Sequence, residues 1–168
     1  GIESPYKSVL KLLLTEVYAS EHPRVECLSL RYKQAVFANQ LDLDELDPYI
    51  VVYRRLEEYL SGRGELERLE LIRRCLYLKV NKKLSSPPRN RAKSWQRVLF
   101  ERLTNEWNWS QRELALLDSR SQWKVRQVSA ERRALVNELT YSYRFLSEFA
   151  RSEQTGSQLN SRDLGVLG

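Results

Sequence analysis

The feature that most constrains this chain is the recurrence of apolar residues at steps of three and four, interrupted by proline and glycine. Val9, Leu10, Leu13, Leu14 and Val17 follow Ser4-Pro5 in that rhythm, the pattern of an amphipathic helix opened by an N-cap and a first-turn proline. His22-Pro23 stops it. A second helix is expected over Glu26 to Asn39, burying Cys27, Leu30, Val36 and Phe37, with an acidic stretch from Leu41 to Asp47 after it. Asp47-Pro48 repeats the start signal, and a third helix should run to about Leu60, before the turn Ser61-Gly62-Arg63-Gly64.

A fourth helix is expected from Glu65 to Leu84, with Leu69, Ile72, Leu76 and Val80 on its apolar face. The paired prolines in Ser85-Ser86-Pro87-Pro88-Arg89-Asn90 predict a loop or hinge, because proline lacks an amide donor and disfavours helical geometry before it. Helix five should cover Lys93 to Trp107 with Val98, Leu99 and Leu103, and Ser110 should cap a short helix over Gln111 to Leu117. The last helix should span about Ser121 to Ser152, its stripe formed by Val128, Leu135, Leu139, Leu146 and Ala150. Strand signals are nearly absent. The expected fold is all-α, an irregular bundle of about six or seven helices, with residues 1–153 as the helical domain and 154–168 as a tail or linker.

Composition narrows the function. A chain of 168 residues, 42% hydrophobic and 30% charged, fits one domain and neither a disordered nor a collagen-like polymer. No apolar run is long enough to span a bilayer. Two cysteines, Cys27 and Cys75, form no disulfide framework or zinc site; both fall on predicted apolar stripes, and the cytoplasm is the expected compartment. The missing initiator methionine suggests a segment excised from something longer. The net charge of +6 arises from 28 basic and 22 acidic residues spread along the chain. Lys79, Lys82, Lys83, Arg89, Arg91, Lys93 and Arg97 gather around the proline loop, so nucleic-acid binding rests on charge alone.

No nucleophile with its base, no metal constellation and no phosphate-cradling glycine loop stands out. His22 sits where a helix ends and suits capping. Asp42-Leu43-Asp44 has the alternating carboxylates of a metal-dependent nucleotidyl transferase, but loop solvation beside a helix start explains it better. Trp95, Trp107, Trp109 and Trp123 suit helix packing.

Longer words carry more. The run from Ser4 to Lys11, continuing through Leu14, Glu16, Tyr18 and Glu21-His22-Pro23, resembles the segment after the catalytic region in bacterial class I adenylate cyclases. Leu46 to Tyr49, Arg73 to Val80, Glu106 to Trp109, Leu117-Asp118, Trp123-Lys124, Ser142 to Arg144, Phe149 to Arg151 and Asp163 to Leu167 follow in the same order. Ser85 to Lys93 and Leu41 to Glu45 depart from the pattern. The resemblance implies a large cytoplasmic lyase that converts ATP to cyclic AMP and pyrophosphate with Mg2+. A nucleotidyltransferase-like catalytic region would lie upstream, a regulatory region downstream, and this helical segment between them.

The segment alone would then be inactive and bind no cofactor, since the catalytic carboxylates belong upstream. Its partners would be those two regions and, for regulation, a phosphotransfer-system protein. The resemblance makes Lys7, Ser8 and Lys11 the first candidates for contact with the nucleotide phosphates; Lys7 and Lys11 share one face near the positive end of the first helix. Arg73, Arg74 and Lys79 are secondary candidates. The alternative is a regulatory or protein-interaction module of the same enzyme.

Overall fold

The structure, a computed structural model, describes residues 4–25, 27–38, 47–90 and 92–166. Glu26, Asn39, Arg91 and the acidic stretch as far as Leu46, with Asp42-Leu43-Asp44, lie outside the described residues. Seven α-helices form among the described residues: α1 Pro5–Glu21, α2 Leu28–Phe37, α3 Pro48–Gly62, α4 Leu66–Val80, α5 Trp95–Glu106, α6 Gln111–Asp118 and α7 Val125–Val166. A 3-10 turn, Arg120–Gln122, joins the last two. The described residues contain no strand, and none of their helices is long and apolar enough to cross a membrane.

Side-chain caps set the starts of α3, α5 and α6. The Asp47 carboxylate accepts from the Tyr49 and Ile50 amides, and Ser94 accepts from the Arg97 amide. Ser110 and Glu113 form a reciprocal capping box on α6, satisfying two amides that the helix cannot. Ser4 precedes Pro5 as expected, but its hydroxyl makes no capping bond. The turn after α3 depends on Gly64, whose φ of +69° is costly for residues with a Cβ. Its amide and that of Glu65 return to the Ser61 and Leu60 carbonyls.

α1 is the centre of the bundle, packed against α7, α4 and α3. Val9, Leu13 and Val17 of α1 meet Ile50, Leu56, Leu60, Leu69, Ile72 and Leu76 in one continuous core, which α5 extends through Leu99 and Leu103. The long-range core explains why the bundle holds together better than helix propensity alone would allow. Tyr53, Trp107 and Trp109 stack edge to face at 5.3 and 4.9 Å between successive rings.

Four sequence expectations need correction. The apolar residues of α2 are not buried: Phe37 is 88% exposed and Leu30 50%, while Val36 and Cys27 are also exposed. Spacing identified an amphipathic helix, but among the described residues α2 makes only a short contact with α3 and no extensive one with another helix. The fourth helix ends at Val80, because Asn81 turns left-handed at φ 54°. Val98, Val128 and Ala150 face outward. Finally, α7 continues past Ser152 to Val166, since residues 153–165 contain no proline and an established helix propagates at little cost.

The proline loop is anchored at its start. Tyr77 donates from its hydroxyl to Asp118 at 2.7 Å and accepts from the Leu84 amide at 3.0 Å. The other Asp118 oxygen accepts from the Ser85 amide and hydroxyl, and Arg97 donates to the Leu84 and Ser86 carbonyls. This half of the expected hinge is held by α4, α5 and α6.

Candidate functional site

Lys7 and Lys11 are one turn apart on α1, as their spacing requires, and both line a cleft of about 150 Å³ between α1, α3 and α4. Its walls are apolar: Leu10 and Leu14 from α1, Tyr49, Val52 and Tyr53 from α3, and Leu76 from α4. Ser8 is half-buried beside them and does not line the cleft. The lysine stems can lie along the apolar walls while their ammonium groups reach the rim.

Lys79 opens onto a second pocket of about 190 Å³, with Asp47, Gln96, Leu99 and Phe100. Tyr49 lines both spaces. Three of the sequence candidates therefore gather around one half-exposed tyrosine. Tyr49 stood within the resembling word Leu46 to Tyr49, but periodicity gave no reason to single it out.

Arg73 is committed elsewhere. Its guanidinium donates to the Tyr53 hydroxyl at 3.1 Å, pairs with Glu70 and Glu57, and lies over the Trp107 ring. Burial opposes its charge, but the bonds to Tyr53 and Glu70 hold its pKa above the ordinary arginine value. Arg73 is thus an internal strut behind the cleft wall. Arg74, its neighbour in sequence, points to the other side of α4, toward α6 and α7.

Behind α1 lies a polar cluster that the sequence reading did not anticipate. Glu16 is fully buried on the α1 face that carries Leu13 and Val17. It accepts from Arg68 at 2.7 Å, from Ser142 at 2.7 Å and from Tyr59 at 3.2 Å. Arg68 also binds buried Glu138 through Nε at 2.9 Å, pairs with Glu65, and covers the Tyr141 ring at 4.1 Å. Burial works against the Arg68 charge, yet its hydrogen bonds to Glu16, Glu138 and Glu65 raise its pKa. Burial and the nearby Glu16 charge push the Tyr59 hydroxyl up to about 12.

One guanidinium thus ties α1, α4 and α7 together. Buried carboxylates need such a partner, and a shared one penalises any slide of these helices. The opposite, outward side of α1 bears Lys11, so the cluster fixes the helix that presents the lysines. The available signal was a charged residue inside an apolar stripe: Glu16 lies three residues after Leu13, and Glu138 three after Leu135.

Among the described residues no group of three or more His, Cys, Asp or Glu side chains could hold a metal ion. His22 caps α1, donating its amide to the Ala19 carbonyl, and packs edge-on against Phe149. Cys75 is buried, and burial pushes its thiol up to about 12, which suits a core residue and not a nucleophile.

Comparison with known proteins agrees with the sequence resemblance. The family model described as "Adenylate cyclase, class-I, second domain" matches residues 1–168. The chain is 41% identical over 168 residues to an adenylate cyclase of Escherichia coli (strain K12), covering 99% of this chain and 20% of that protein. It is 39% identical over 167 residues to the Yersinia intermedia adenylate cyclase, with the same coverage, and 37% identical over 168 residues to that of Proteus mirabilis, covering 99% of this chain and 19% of the relative. It therefore spans about one fifth of the length of the curated relatives it matches. No solved structure matches it. With the family match running from the first residue to the last, the chain belongs to the class I adenylate cyclases, in the part that forms their second domain.

Proposed function

We propose that this domain supports the nucleotide site of an upstream nucleotidyltransferase-like region, with Lys7, Ser8 and Lys11 contacting the ATP triphosphate. The observation that carries this reading is the convergence of Lys7 and Lys11 of α1 with Lys79 of α4 around Tyr49, the far side of α1 being locked by Glu16 and Arg68. Fixed ammonium groups stabilise charge that develops on a departing pyrophosphate without reorganising during the reaction.

The reaction of the whole enzyme would convert ATP to cyclic AMP and pyrophosphate in the cytoplasm. Mg2+ would be held by carboxylates of the upstream region. This domain would contribute binding, orientation and positive charge.

The exposed α2 residues Leu30, Val36 and Phe37 favour a second role, as an interaction module facing the upstream or downstream regions or a phosphotransfer-system protein. Titration calorimetry with Mg2+ and a non-hydrolysable ATP analogue separates the two. Binding by the domain, or a gain in affinity when it is added to the catalytic region, should be lost in Lys7→Ala. Silence in both settings would move the assignment to scaffolding or regulation.

A further inference from the structure

A third cleft is bounded by α4, α6 and α7 on the side of α1 away from Lys11. Its volume is about 290 Å³, and Leu71, Trp123 and Leu135 form much of its apolar lining. Arg74 stands at this cleft, largely exposed, whereas the neighbouring arginines Arg68 and Arg73 are spent on Glu16, Glu138 and Glu70. No ion pair joins Arg74 to a carboxylate among the described residues.

Glu131 also lines the cleft, but its two oxygens are taken by the Tyr6 hydroxyl at 2.8 Å and by Arg120 at 3.1 Å. The Trp123 indole N–H is likewise used, donated to the Leu116 carbonyl at 2.7 Å, so the ring offers apolar surface. Gln127 accepts the Lys124 amide through its oxygen, leaving its NH2 group as a second donor beside Arg74.

A cationic fork and an amide donor beside a concave apolar lining match an anion with a flat apolar body. The volume is roughly twice the ~150 Å³ of a cavity that takes benzene, which suits two fused rings. We propose that this cleft binds a small organic anion of the arylcarboxylate or aryl phosphate class, its charge held by Arg74 and its ring packed on Trp123, Leu71 and Leu135.

The probes are 8-anilinonaphthalene-1-sulfonate and its uncharged analogue N-phenyl-1-naphthylamine, titrated into the 168-residue chain and followed by fluorescence. A single site is expected. Arg74→Ala should weaken the sulfonate about tenfold, the scale of one charge-assisted hydrogen bond, and leave the uncharged dye nearly unaffected. Arg74→Lys should restore part of the loss. Ala130→Trp, at an exposed position on the cleft lining, should exclude both dyes while thermal unfolding stays unchanged. Sulfonate binding that survives Arg74→Ala, falls equally for both dyes, or is abolished by Phe37→Ser on α2 would overturn the proposal.

Discussion

Glu16 and Arg68 lie 52 positions apart in the chain and 2.7 Å apart in the fold, and through Arg68 the α1 carboxylate shares a guanidinium with Glu138 of α7. The packing of α1, α4 and α7 therefore turns on an ionic contact, and a buried charge that loses its partner is costly. Arg68→Ala should destabilise the domain by about 3–5 kcal/mol, because it strands two buried carboxylates. Glu16→Gln keeps one acceptor oxygen, and its NH2 can donate to the other hydroxyl, so it should cost less, about 1–2 kcal/mol. Urea unfolding of both variants checks the order; an Arg68→Ala domain as stable as the parent would remove the cluster from the account.

Among the described residues the Leu84 amide is satisfied by the Tyr77 hydroxyl, which also bonds Asp118. Tyr77→Phe should cost about 1–3 kcal/mol by leaving a buried amide unsatisfied. Amide hydrogen exchange should quicken at Leu84 and Ser85 before it does in α4. Protection unchanged at both amides would show that the loop is held by other means.

The two cysteines should differ sharply toward a thiol reagent. Cys27 is exposed, whereas Cys75 is buried with its thiol pushed up to about 12 by burial. One thiol should react in the folded protein, with the second appearing only in denaturant. Rapid modification of both under native conditions would contradict the packing of Cys75 in the core.

Acid should weaken the fold. The Arg54 bond holds the Glu106 carboxyl below the ordinary range, and the Lys93 bond does so for Glu101. At Glu65 burial pushes upward, but bonds from Arg63 and Arg68 bring the net shift below the usual value. A carboxyl whose folded pKa is depressed contributes stability above its unfolded value and loses it as pH falls through the folded one. Stability should hold near neutrality and decline below about pH 4.5. Arg54→Ala should flatten the part of that decline due to Glu106; a decline unchanged in Arg54→Ala would assign the acid sensitivity to other groups.

Local signals in the sequence reached most of the helices. Pro5, Asp47-Pro48 and Ser110 mark starts that the structure confirms, because caps and prolines act within one turn. Periodicity failed where the outcome depended on distant packing. Leu30, Val36 and Phe37 have helical spacing, yet nothing local says whether another element covers them. Glu138 and Ser142 face inward on α7 because Arg68 and Glu16 await them from other helices. In the candidate site, Lys7 and Lys11 were legible from their four-residue step, whereas the gathering of Lys79 and Tyr49 around them required the packing of α3 on α1 and α4.

The measurement that bears most directly on the central claim is the steady-state kinetics of a full-length class I adenylate cyclase carrying this domain, with Lys7→Ala and Lys11→Ala made singly and together. Each lysine removed from a triphosphate should lower kcat/KM for ATP by about tenfold or more, with thermal stability unchanged. Unaltered KM and kcat in the double variant would contradict the assignment and leave α1 a structural helix.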